Sequence, residues 1–169
     1  IPNEEIRQEL LAATRRTKWN ELLLFEKESA DLLDATLDMD EEAVAESIEK
    51  IHMEYVSSIQ YNDENSLSSV LSIAYLSTLR YYFKPIRELP AGRGFADFVF
   101  IPKPEYVEYY PALLIELKWN KNAKTALQQI KERKYPSALL QYTGNILLVG
   151  INYNKKTKVH ECKIEEFVK

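Results

Sequence analysis

Ala112-Leu113-Leu114-Ile115-Glu116-Leu117-Lys118-Trp119 and, further on, Asn145-Ile146-Leu147-Leu148-Val149-Gly150-Ile151 are two apolar runs separated by a segment of different character. The first is opened by Pro111 and reads as a strand. The second is unbroken, as expected of a strand covered on both faces. Between them, Ala123 to about Gln141 is rich in Ala, Leu, Gln, Lys and Glu, the composition of a helix. Strand, helix and strand in that order make a crossover that is right-handed and sets the two strands parallel. Upstream, Phe95 to Ile101 is aromatic and β-branched and lies between Gly92/Gly94 and Pro102/Pro104, which marks another short strand. Downstream, Val159 to Val168 reads as a last strand or a short helix.

Before Pro85 the pattern is helical. No glycine occurs from Asn3 to Phe83. Ile48, Ile51, Tyr55, Val56 and Ile59 recur at helical spacing after the acids Asp38, Asp40, Glu41 and Glu42, which suit a helix N-terminus. Leu67, Val70, Leu71, Ala74, Tyr75, Leu79 and Tyr82 form a second stripe, and Trp19 with Leu22, Leu23, Leu24, Leu32 and Leu33 predicts one or two more helices. The expectation is an α/β fold: a helix, a three-stranded meander, a helix and a strand, with an α-helical N-terminal extension over residues 1–62 that packs on the sheet or serves as a linker.

Composition narrows the function. The chain has 169 residues, 46% hydrophobic and 28% charged, which is a globular mixture. Its single cysteine, Cys162, excludes an internally stapled secreted scaffold. No apolar run approaches the ~20 residues of a membrane span. The acidic start without an initiator Met predicts a cytoplasmic piece of a longer protein. The net charge of −4 is unevenly spread: residues 1–90 hold 9 Lys/Arg against 18 Asp/Glu, whereas residues 91–169 hold 13 against 8. A basic half suits a polyanion, because phosphate contacts depend on local charge.

Three charged residues interrupt apolar strands. Asp97 stands within Phe95-Ala96-Asp97-Phe98-Val99-Phe100, and Glu116 and Lys118 within Ala112–Trp119. A spacing of two puts Glu116 and Lys118 on one face of their strand. If the strands are neighbours, Asp97 meets Glu116 across the ladder. Two adjacent carboxylates repel, and a hard divalent cation such as Mg²⁺ or Mn²⁺ keeps both ionised. The plainer reading of the trio is an ion pair at a strand edge. His160 and Cys162, two ligands at most, do not make a zinc site. His52, on an apolar helix face, reads as a packed histidine. Tyr106, Tyr109 and Tyr110 form an aromatic loop that either stacks on bases or packs as a hairpin connection.

Four blocks in order, Gly92-Arg93-Gly94-Phe95-Ala96-Asp97, Leu114-Ile115-Glu116-Leu117-Lys118, Ala126 to Tyr135 and Leu147-Leu148-Val149-Gly150-Ile151, resemble the PD-(D/E)xK nuclease-like superfamily. More narrowly, they resemble the nuclease-like domain at the C-terminus of prokaryotic proteins that begin with an AAA-type ATPase-like region. The resemblance spans about Glu64 to Phe167 and implies a restriction-endonuclease-like core over residues 63–169. It implies that Asp97 and Glu116 hold Mg²⁺ or Mn²⁺, that Lys118 positions or activates water, and that Glu64 is an additional acid from the first core helix. It places Gln129 and Tyr135 as a supporting or nucleic-acid-contacting pair, with Gln128 as the neighbouring register, and Arg93 in the turn before Asp97. Ala96 stands where the motif has Pro, and Phe95 where a second basic residue is expected. No Gly-x4-Gly-Lys-(Ser/Thr) occurs, so an ATPase region, if the parent protein has one, lies outside this chain. The implied activity is metal-dependent hydrolysis of nucleic acid, with DNA the expected substrate. The alternative is an inactive nuclease-fold module that binds or regulates beside the ATPase. A third reading makes the helical half a coupling or oligomerisation segment, and a homo-oligomer stays open.

Overall fold

The computed structural model describes residues 4–55, 64–91, 94–132 and 142–167. Three helices come first: α1 (Glu4–Leu37), α2 (Glu41–Tyr55) and α3 (Glu64–Ala74). β1 (Ile86–Ala91), β2 (Gly94–Phe100) and β3 (Ala112–Trp119) follow as an antiparallel meander, then α4 (Ala123–Glu132), β4 (Ile146–Asn154) and β5 (Val159–Glu166). The sheet order is β1-β2-β3-β4-β5. β3 and β4 are parallel, with Glu116 opposite Gly150 and Lys118 opposite Asn152, and β5 returns antiparallel. The strand–helix–strand reading of 112–151 therefore holds, and of the two alternatives for the C-terminal segment the strand is the one formed. Residues 133–141, the expected second half of the α4 helix, lie outside the described residues.

The sheet is covered on both faces. Phe98, Phe100, Leu113, Ile115, Leu117, Val149 and Ile151 pack with Phe25, Leu32 and Leu33 of α1, Val44, Ile48 and Ile51 of α2, and Leu67, Val70 and Leu71 of α3. Val99, Leu114, Ile146 and Leu148 pack with Leu127 and Ile130 of α4 on the opposite face. Helices from the N-terminal 62 residues thus share one hydrophobic layer with the sheet. Lys50 on α2 pairs with the buried Glu28 of α1 at 2.7 Å.

Local chemistry explains the joints between helices. α1 ends in a Schellman arrangement: Asp40 N–H reaches Ala35 O, Met39 N–H reaches Thr36 O, and Met39 takes φ 57° in the left-handed region. Asp40 then caps α2 by accepting Ala43 N–H at 3.0 Å. The stripe from Leu67 to Tyr82 predicts one continuous helix, but α3 stops at Ala74 and Leu76–Arg80 is a 3₁₀ turn. Ser29 of α1 is the cause. Its hydroxyl donates to Ala74 O at 2.6 Å and accepts Ser77 N–H at 2.9 Å, while Ser77 Oγ donates to Ser29 O. A neighbouring helix thereby satisfies the groups that another helical turn would have used. Tyr106 and Tyr110 pack against Tyr81, so the aromatic loop is a packed connection from which Tyr109 projects exposed. Among the described residues, no helix is long and apolar enough to cross a membrane.

His160 of β5 is buried between His52 of α2 and Tyr153 of β4. Burial lowers its pKa to about 3, and His52 pushes the same way. Glu49 Oε2 lies 3.7 Å from His160 Nδ1. The folded ring stays neutral while the unfolded ring, near 6.5, takes a proton. Its contribution is therefore complete above pH 6.5 and is lost as pH falls towards 3, by up to about 1.4 kcal/mol per pH unit. Denaturant unfolding across that window should show this slope in the wild type and a shallower one in His160→Phe; equal slopes would contradict it.

Candidate active site

The charged residues of β2 and β3 lie on the face that carries α4. On β3, Ala112 and Leu114 pack against that helix, so Glu116 and Lys118 continue the same row. On β2, Val99 packs there, and Asp97 follows it in alternation. The backbone pairing of β2 with β3 runs from Phe100–Leu113 to Phe98–Ile115. Beyond it, the Asp97 carboxylate replaces a strand carbonyl and accepts Leu117 N–H at 2.7 Å. This bond fixes Asp97 beside the Glu116–Lys118 segment.

Glu116 is 2% exposed and Lys118 5%. Lys118 Nζ donates to Glu116 Oε1 at 2.8 Å and to Leu117 O at 2.8 Å. The side-chain amide of Gln129, on α4, donates to the same Glu116 oxygen. Asp97, Glu116, Lys118 and Gln129 are thus brought together from three elements. Gln128, one residue earlier, instead bonds Glu132 along the exposed side of α4. Glu64 opens α3, is exposed, and sits in the layer that covers the opposite face of the sheet. Arg93 and Tyr135 lie outside the described residues.

Residues that sequence patterns do not single out for a role build the frame. Gly150, opposite Glu116, lies beneath the start of α4: a Cβ there would stand 2.5 Å from Ala123 O and 3.0 Å from Leu127 N. Only a residue without a side chain lets the helix come this close, and the close approach brings Gln129 over Glu116. Three asparagines order the turn after Lys118. Asn120 takes φ 55° and accepts Lys155 N–H at 2.8 Å. Asn122 caps α4 by accepting Thr125 N–H at 2.7 Å. Asn152, fully buried, accepts Lys121 N–H at 3.0 Å and donates to Lys121 O.

The donor set suits a hard divalent cation. Asp97 and Glu116 offer carboxylate oxygens only, and Mg²⁺ is commonly held by one or two carboxylates with water completing its shell. Among the described residues, no three His, Cys, Asp or Glu side chains gather into a metal-holding group. His160 and Cys162 accordingly form no such group with their described neighbours.

A mixed sheet flanked by helices, with Asp97 on one strand and Glu116 and Lys118 on the next, is compatible with a restriction-endonuclease-like fold. A family profile for the PD-(D/E)XK nuclease superfamily matches residues 62–163, and the chain belongs to that superfamily. No curated protein matches the chain.

Gly150→Ala tests the frame. Overpacking the α4–β4 contact should cost about 1–3 kcal/mol, read as a lowered Tm in thermal unfolding. An unchanged Tm would mean that α4 does not rest on Gly150 as described.

Proposed function

We propose that this protein is a divalent-metal-dependent nuclease that hydrolyses phosphodiester bonds, with DNA as its substrate. The observation that carries the proposal is the buried Glu116–Lys118 pair, with Asp97 held against the same strand by Leu117 N–H and Gln129 held on Glu116. Membership of the superfamily supports a nuclease-type activity and a nucleic-acid substrate, and nucleases of this kind generally use divalent metals.

Asp97 and Glu116 are the residues that would hold Mg²⁺ or Mn²⁺, and the cation, when bound, would polarise the scissile phosphate and offset its developing charge. The remaining work falls to the chain's own groups. Lys118 places an ammonium beside Glu116, where it can hold a phosphate oxygen or orient the attacking water. Gln129 restricts Glu116 to one orientation. Water adds across a P–O bond, so the products are a phosphate monoester and a free hydroxyl. Glu64, in the first turn of α3, is assigned as a further acid by its place in the motif blocks. Arg93 and Tyr135 are assigned to substrate contact by their place in the motif blocks. We assign the nuclease unit to residues 63–169, with the helices of residues 1–62 as its cover, and place it beside an AAA-type ATPase region of the same parent protein in the cytoplasm.

Plasmid, linear duplex, single-stranded DNA and RNA incubated with Mg²⁺ or Mn²⁺ should reveal cleavage of DNA that EDTA stops. Lys118→Ala should reduce it by about 10²-fold or more, the scale of losing a placed charged group, with circular dichroism unchanged. Full activity in that variant would refute the assignment of Lys118. No cleavage of any polymer by a folded wild type would refute the proposed activity.

A further inference from the structure

Among the described residues, β5 is an edge of the sheet, and its hydrogen bonds reveal which groups face away from it. Phe167 N–H points inward to Ile146 O. Ile164 N–H points outward, where the carboxylate of Glu41 accepts it at 2.9 Å and also pairs with Lys163. Alternation along the strand then turns the main-chain groups of His160, Cys162 and Ile164 outward. A groove of about 600 Å³ runs beside them, bordered by Glu41, Ala45, Ala123, Lys124, His160 and Cys162. The side chains of the other parity, Glu161, Lys163 and Glu165, alternate in sign on the α4 side.

We propose that this edge pairs with a second copy of itself, antiparallel, about a two-fold axis at Cys162, so that the five-stranded sheet continues across the dimer. The sequence is self-complementary in that register. Glu161 lies opposite the partner subunit's Lys163 on each side of the axis, and His160 lies opposite the partner subunit's Ile164. Neighbouring registers fail. An axis at Lys163 sets lysine against lysine and Glu161 against Glu165. An axis at Ile164 keeps an opposite-charge pair, Lys163 with Glu165, but sets the apolar Cys162 against Glu166 and Glu161 against Phe167. Opposite charges across a ladder attract and like charges repel, which fixes the register. Glu41 is the intramolecular competitor. In the single chain its carboxylate takes the place of an added strand at Ile164 and engages Lys163, which shields the edge. On pairing, Ile164 N–H passes to the partner's main chain and Lys163 to the partner's Glu161.

Sedimentation velocity on the whole chain over a dilution series should show a concentration-dependent dimer. Cys162 is the single cysteine, and outward-bonded antiparallel neighbours lie about 5.5 Å apart at Cα, within disulfide reach. Copper–phenanthroline oxidation should therefore trap the wild-type dimer through Cys162. Glu161→Lys alone and Lys163→Glu alone place like charges together and should be monomeric. An equimolar mixture of the two restores opposite charges at both positions and should form a cross-linked heterodimer. A wild type monomeric at every concentration, dimers that Cys162 does not trap, single variants that dimerise as well as wild type, or a mixture that stays monomeric would each overturn the proposal.

Discussion

A carboxylate and an ammonium almost completely withdrawn from water, on adjacent same-face positions of β3, are the constraint on which this site depends. Glu116 and Lys118 are 2% and 5% exposed. Burying either charge alone would cost several kcal/mol, and even a paired burial rarely stabilises more than a well-packed apolar pair would. The arrangement stands because every element around it contributes a partner or makes room for one. Lys118 donates to Glu116 and to Leu117 O, and α4 supplies Gln129. Gly150 allows α4 to approach closely enough for that contact. Asp97 reinforces the strand end by taking Leu117 N–H.

The two faces of the sheet divide the labour. Helices α1, α2 and α3 bury one face in an apolar layer and give the sheet its stability. The other face carries α4 and a smaller apolar patch around Leu114, Leu127 and Leu148. The charged residues continue that patch towards the C-terminal end of β3.

What was legible in the sequence follows from how locally each feature is determined. β3, β4 and the first part of α4 are dictated by runs of apolar or helix-forming residues, and the structure has them where those runs lie. Asp97, Glu116 and Lys118 stood out because an apolar strand has no structural use for charge. Gln129 came only through resemblance to a family pattern, since on a helix of Lys, Gln and Glu nothing local separates it from Gln128. The end of α3 could not be read: periodicity continues to Tyr82, and Ser29, distant in sequence, stops the helix. Gly150 looked like one more residue of an apolar strand, because the helix that requires it to be glycine is a tertiary neighbour. Asn120, Asn122 and Asn152 resembled ordinary turn residues until their bonds to Lys155, Thr125 and Lys121 were visible.

In the proposed mechanism, Asp97 and Glu116 together would hold a divalent cation on the α4 face of the sheet. Isothermal titration of Mn²⁺ into the metal-free protein measures this without reference to any substrate. Saturable binding at one site is expected, lost in Glu116→Gln and retained in Lys118→Ala, which removes the ammonium that otherwise occupies the Glu116 oxygen. Binding that Glu116→Gln leaves intact, or no binding by the folded wild type, would contradict it.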